Sequence, residues 1–145
     1  MTAVVTRVID GDTFDTSDGD RIRLADINAP NSSEPGYYEA KDFLTSLVYE
    51  VTVYLDIDDL YRTDRYDRLV CVVYVDYNAT HFLNVNQALL VEGYAQIWEH
   101  DNEFSSSTWT LYVPKNHVPE FPTFMILPLL VVLAVIAFLV FRRMR

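Results

Sequence analysis

Cysteine is almost missing from this chain. Cys71 stands alone among 145 residues, so no internal disulfide and no cysteine-based metal site can form. It lies in Leu69-Val70-Cys71-Val72-Val73-Tyr74-Val75, where a small packed hydrophobe is expected. Lysine is nearly as scarce: Lys41 and Lys115 stand against 21 acidic residues, and the formal charge is −10. That balance excludes a general basic surface for nucleic acid. An Asp-rich, Lys-poor surface suits high salt, where self-repulsion is screened. No internal repeat and no low-complexity tract occurs. No export signal is visible either. Met1-Thr2-Ala3 leads straight into an apolar run, so export is expected from residues ahead of this sequence or from insertion directed by the tail. Two short sequons, Asn31-Ser32-Ser33 and Asn78-Ala79-Thr80, fit an exported domain but carry little weight.

Charge is also absent from residues 121–141. At about 1.5 Å per residue, such a run crosses a bilayer core of about 30 Å. Arg142, Arg143 and Arg145 follow it. A membrane helix is expected there, with the arginine tail inside and the acidic domain outside. Setting those three arginines aside leaves eight basic residues against 21 acidic ones, a balance of −13. The expected organisation is a folded domain at 1–113, a linker at 114–120, the membrane helix at 121–141 and a basic tail at 142–145.

Along the chain, residues 4–14 and 21–27 read as strands, joined by the Asp18-Gly19 hairpin signal. Ser32-Ser33-Glu34-Pro35 reads as a helix entry. Ala40, Phe43, Leu44 and Leu47 then follow the i, i+3, i+4, i+7 spacing of an amphipathic helix. Strands are expected at 51–55 and 69–75, separated by a polar loop at 56–67. A short helix follows, with Asn84 as N-cap, Gln87 three residues on and Gly93 as its stop. Residues 94–98 read as a last strand, and 101–113 show only turn signals. The sum predicts a mainly β, α+β domain: an OB-fold, five-stranded antiparallel barrel with inserted helices, followed by one C-terminal transmembrane helix.

One stretch stands out. An apolar run ends in Asp10-Gly11-Asp12-Thr13. Gly accepts positive φ and Asp bonds its own backbone, so two carboxylates are held together at a strand end. On the tetrapeptide alone a solvated turn is the more economical reading, and a metal or catalytic site the other. Three further motifs bear on it: Arg21-Ile22-Arg23-Leu24-Ala25-Asp26-Ile27-Asn28-Ala29-Pro30, Arg62-Thr63-Asp64-Arg65-Tyr66-Asp67-Arg68, and Asn84-Val85-Asn86-Gln87-Ala88-Leu89-Leu90-Val91-Glu92-Gly93-Tyr94-Ala95.

In that order and spacing, over residues 4–98, the four motifs resemble the staphylococcal nuclease (thermonuclease-like) family. The resemblance implies calcium-dependent hydrolysis of phosphodiester bonds in DNA and RNA. It implies Asp12 as the first Ca2+ carboxylate, Asp10 as a supporting acid, and Asn28 and the Ala29 carbonyl as further metal ligands. Arg23 and Arg68 match the arginines that clamp the phosphate, and Arg65 and Tyr66 match residues on the terminal phosphate and sugar. Such chemistry needs oxygen ligands for a hard cation, cationic forks for the phosphate oxygens and a proton acceptor for the attacking water.

Two positions depart from the pattern. Asn28 stands where the family has an acid, which removes a negative charge from the cation site and weakens it. Asn31 stands at the family's general-base glutamate, and an amide cannot take that proton, a loss of about 10²–10⁴-fold. Glu34 is the candidate substitute base. Asp26 is two residues before Asn28, about 6.6 Å along a strand, and is not expected to ligate. Glu99-His100-Asp101 replaces the family's aromatic substrate wall.

The tail resembles an archaeal Pro-Glu-Phe sorting signal: Val118-Pro119-Glu120-Phe121-Pro122, then the apolar span, then the arginines. It implies processing by an archaeosortase, or else a permanent membrane anchor. The expectation is a monomeric nuclease acting on single-stranded DNA or RNA at the cell surface. The alternatives are a nuclease-fold module that binds nucleic acid or protein without cleaving, and a purely structural envelope protein.

Overall fold

Seven strands hydrogen-bond in the order β3 (Arg21–Leu24), β2 (Thr13–Thr16), β1 (Thr2–Asp10), β5 (Thr52–Ile57), β6 (Leu69–Asp76), β7 (His81–Asn84) and β9 (Tyr112–Pro114), and a further pairing of β3 with β6 closes five of them into a barrel. The computed structural model describes residues 1–117, within which Met1–Lys115 form one compact unit. The expected membrane helix at 121–141 and basic tail at 142–145 lie outside the described residues. Among the described residues no helix is long and apolar enough to cross a membrane.

The first expected strand is in fact two. β1 (Thr2–Asp10) turns at Gly11-Asp12 into β2 (Thr13–Thr16), with Asp10 paired to Thr13. The apolar residues continue across this turn, so composition alone reads it as one strand. The Asp18-Gly19 turn, with Gly19 at φ 86°, then joins β2 to β3 (Arg21–Leu24). β3 stops before Asp26, which is at φ 58°. β4 (Ile27–Asn28) leaves the barrel and pairs instead with β8 (Gln96–Ile97).

α1 (Tyr37–Val48) starts after Gly36, at φ 88°, and buries Ala40, Leu44 and Val48. Phe43 and Leu47 pack beside them. β5 (Thr52–Ile57) and β6 (Leu69–Asp76) pair antiparallel. β6 also runs parallel to β3, with Arg23 opposite Val70, so the barrel is not purely antiparallel as expected. Asn86, fully buried, seals that seam. Its amide donates to the carbonyls of Ala25 (3.0 Å) and Cys71 (3.2 Å) and accepts from Val73 N (3.0 Å).

β7 (His81–Asn84) runs directly into α2 (Val85–Val91). Asn84 caps the helix, accepting from Gln87 N at 3.0 Å, and Gly93 at φ 77° ends it, as the spacing predicts. β9 (Tyr112–Pro114) pairs with β7, so the turn-rich segment ends in a strand. Pro114, where the linker is expected to start, is opposite His81. The core is the barrel interior: Val5, Phe14, Ile22, Leu24, Val53, Leu55 and Val73, with Leu44 and Leu89 from the helices. Cys71 is buried among them as expected, and burial pushes its thiol up to about 12.

Candidate nuclease cleft

The turn at Gly11-Asp12 is a crowded place. A Cβ on Gly11 would lie 2.7 Å from both the Ala29 and Ala40 side chains, so only glycine lets β1 and β2 turn against α1. The turn buries Asp12, 6 % exposed. Its backbone N–H donates to Asp10 Oδ1 at 3.0 Å, its Oδ1 accepts from Thr13 Oγ1 at 2.9 Å, and its Oδ2 accepts from Ala29 N at 2.8 Å. Asp12 is thus tied both to its neighbouring acid and to the segment after β4. Burial, then the charge of Asp12, pushes the Asp10 carboxyl up to about 6.

Arg23 is 8 % exposed and supplies the balancing charge. Nη2 lies 3.4 Å from Asp12 Oδ2 and donates to Asn28 Oδ1 at 3.3 Å, while Nη1 donates to the carbonyls of Leu24 and Ile27. Burial lowers its pKa and Asp12 opposes that, and the guanidinium remains charged. Arg21, two residues earlier on the same face of β3, is instead an exposed partner of Asp15 at 2.7 Å.

A second element brings more arginine. Asp64 folds the loop before β6 by accepting from Tyr66 N (2.9 Å) and Arg68 N (3.1 Å), and its Oδ2 pairs with Arg68 Nε at 2.7 Å. Asp67 takes φ 61° at the turn. Arg65 Nη2 donates to the Tyr66 hydroxyl at 2.6 Å, and both Arg65 and Arg68 lie over the Tyr66 ring, at 4.7 and 5.1 Å. Tyr66 is itself 62 % exposed.

Arg23, Arg65, Tyr66 and Arg68 line one cleft of about 670 Å3. Also lining it is an aromatic pair that sequence reading missed: Trp98 and His100, edge to face at 4.1 Å. The Trp98 ring, half exposed, is 5.7 Å from the Arg23 guanidinium. The signal was a Trp and a His two residues apart, hence on one side of an extended segment. Three basic forks facing exposed rings can hold a phosphate chain while a base stacks beside it.

Of the remaining expected residues, Asn28, Ala29 and Glu34 line a second hollow of about 290 Å3, with Pro30 and Tyr94 among others, and Asp10, Asp12 and Asn31 are not part of its lining. The Arg23–Asn28 bond joins the two hollows. Asn31 turns its side-chain carbonyl to Ser33, accepting from N (3.0 Å) and Oγ (2.7 Å), and its own N–H donates to Glu34 Oε1 at 3.0 Å. Glu34 N–H donates back to the Asn31 backbone carbonyl at 2.9 Å, and this reciprocal pair fixes Glu34 on the lining it shares with Asn28 and Ala29. Asp26 points away from them and bonds the 98–102 segment.

Among the described residues no three His, Cys, Asp or Glu side chains gather as a metal cluster. The donors expected from the sequence are Asp12, Asp10, the Asn28 amide and the Ala29 carbonyl, and of these Asp12 Oδ2 and Asn28 Oδ1 both face Arg23 Nη2, at 3.4 and 3.3 Å. The set is oxygen only, which suits a hard cation. Burial is the first cause of the raised Asp10 pKa and the charge of Asp12 the second, and a cation beside the pair would relieve the second. Donors of this chemical kind are those a calcium ion takes, here with fewer charges than a strong site has.

Comparison with known proteins gives a family and several relatives. The family model described as "Staphylococcal nuclease homologue" matches residues 21–113. An uncharacterized endonuclease of Escherichia coli O157:H7 is 36% identical over 101 residues, 68% of this chain and 61% of its own. A micrococcal nuclease of Shigella flexneri is 32% identical over 103 residues, 66% of this chain and 58% of its own. Protein ParB of Escherichia coli is 35% identical over 98 residues, 63% and 54% of the two chains. The chain spans a little over half the length of these curated relatives.

Proposed function

The chain belongs to the staphylococcal nuclease homologues, and from that premise we propose that it is a calcium-dependent phosphodiesterase cleaving single-stranded DNA or RNA. The observation that carries the reading is the convergence of Arg23, Arg65, Arg68, Tyr66 and Trp98 on one cleft. Arg23 and Arg68 hold the scissile phosphate's oxygens, where negative charge grows during attack. Arg65 and the Tyr66 hydroxyl bind the adjoining phosphate and sugar. The Trp98 face takes a base. Asp12, Asn28 and the Ala29 carbonyl, supported by Asp10, would hold Ca2+. When bound, the cation polarises the phosphodiester. Glu34 replaces Asn31 as acceptor of the water's proton, since Asn31 is both an amide and committed to Ser33.

The test is cleavage of single-stranded DNA by the 145-residue chain, with calcium and with chelator. Cleavage that needs calcium and is lost in Asp12→Ala supports the reading. Glu34→Gln should abolish turnover and spare binding, and an unchanged rate removes Glu34 from the mechanism. A second reading has its own support. Arg23 already satisfies four acceptors, and Asn28 and Asn31 replace acids. On that reading the fold binds nucleic acid or protein and does not cut, and retention of oligonucleotide without products in calcium would favour it.

The uncharged run at 121–141 supports a further part of the proposal. The domain is held outside the cell by a membrane helix with its C-terminus inside, or is released to the surface by archaeosortase processing. Protease added to intact cells should then degrade the domain, and protection of the domain would reject this placement.

A further inference from the structure

Asp26 is built at visible cost. It is 2 % exposed and takes φ 58°, a region that glycine enters freely and other residues avoid. Its Oδ2 is buried without a hydrogen-bond partner among the described residues. Such features persist where the surrounding structure requires them. All of its partners belong to one segment. The Asp26 carbonyl accepts from Trp98 N at 2.8 Å. Its Oδ1 accepts from Asn102 Nδ2 at 2.7 Å and from His100 N at 3.3 Å.

That segment has little else to fix it. After β8 the chain runs without helix or strand to residue 105. Its other anchors are few: Ile97, just before Trp98, pairs with Ile27, Glu99 Oε1 accepts from Ser106 Oγ at 2.8 Å, and Asp58 Oδ1, on the cleft's lining, accepts from Glu103 N at 3.1 Å. Within residues 98–102, Asp26 is the partner that Trp98, His100 and Asn102 share.

We infer that Asp26 is a positioning residue for the cleft's aromatic wall, clamping residues 98–102 so that Trp98 and His100 face Arg23 at stacking distance for a base. The inference rests on the nuclease reading of the same cleft. It assigns Asp26 to binding of the substrate's base, not to cation binding or proton transfer.

The test uses two variants of the 145-residue chain, each also made with Trp109→Phe so that Trp98 alone reports. Asp26→Gly relieves the backbone strain, which protects folding, and removes the side-chain clamp. Asp26→Asn keeps an Oδ1 that can accept from Asn102 and His100. Kinetics on a short single-stranded oligonucleotide should show KM raised about tenfold in Asp26→Gly with kcat little changed. Acrylamide should quench Trp98 more in Asp26→Gly, and Asp26→Asn should match the unmutated chain in both readouts. The inference is overturned if Asp26→Gly leaves KM and quenching unchanged, if its loss falls in kcat, or if Asp26→Asn behaves like Asp26→Gly. Should the unmutated chain cleave nothing, the nuclease reading fails, and the quenching comparison still decides the clamp.

Discussion

Gly11 shows how closely single residues are fitted at this site. A methyl group there meets Ala29 and Ala40 at 2.7 Å, and both neighbours are buried. Overpacking of this kind costs about 1–3 kcal/mol. Gly11→Ala should therefore lower stability by that amount in urea melts, and it should reduce cleavage further by displacing Ala29 from Asp12. Arg23 is equally demanding. Its two Nη atoms reach Leu24, Ile27, Asn28 and Asp12, and a lysine ammonium cannot span those acceptors. Arg23→Lys should cost about 1–3 kcal/mol, the penalty of leaving buried polar groups unsatisfied, read as a lower denaturation midpoint. Motif order puts Arg23, Arg65 and Arg68 together in the sequence reading, and the fold does bring these three to one cleft, with Asp12 beside Arg23 at the β1–β2 turn. Asp26 was not legible in the sequence. Nothing local marks an acid that leaves the strand at positive φ and finds its partners more than seventy residues away. Trp98 was missed for a related reason, since a segment without regular structure has no periodicity to read.

At the scale of the element, the loop before β6 carries the clearest pH dependence. Burial raises the Asp64 carboxyl, but the N–H groups of Arg68 and Tyr66 and the Arg68 guanidinium outweigh it and hold the group below its usual range. A depressed carboxylate contributes stability above its unfolded pKa, near 3.8, and loses that contribution as pH falls through the lower folded value. Asp64→Asn should thus lower Tm at neutral pH, with the difference from the unmutated chain closing as the pH drops below 4. A gap of constant size down to pH 2 would show that shape, not charge, holds the loop. The elements themselves divide by how local their signals are. The heptad-like spacing of α1 and the Asn84 cap of α2 need only neighbours in sequence, and both are present. The β1–β2 turn is hidden by apolar residues on both sides of it. β9 is a short edge strand ending in Pro114, and only its pairing with β7 defines it.

Over the whole molecule, charge and function pull in opposite directions. A polyanion must reach three arginines, Arg23, Arg65 and Arg68, on a chain of net charge −10. Three phosphate contacts on a single strand release counterions with a log–log salt slope of about −2. Repulsion from the remaining acidic surface has the opposite salt dependence, because added ions screen it over a Debye length of about 10 Å at 0.1 M and about 3 Å at 1 M. The same screening relieves self-repulsion within the fold. Two outcomes are expected between 0.05 and 2 M NaCl. Oligonucleotide affinity, followed by fluorescence anisotropy, should fall less steeply than the slope of about −2 and should flatten or rise at the low-salt end. Tm should increase with salt over the same range. A slope at or beyond that value would mean that the cleft's arginines act free of the acidic surface. A Tm falling with salt would mean that pairs such as Arg21–Asp15 and Lys115–Asp76 outweigh the net repulsion. Exposed pairs of this kind contribute at most about 1 kcal/mol each, too little to reverse the sign on a surface so unevenly charged.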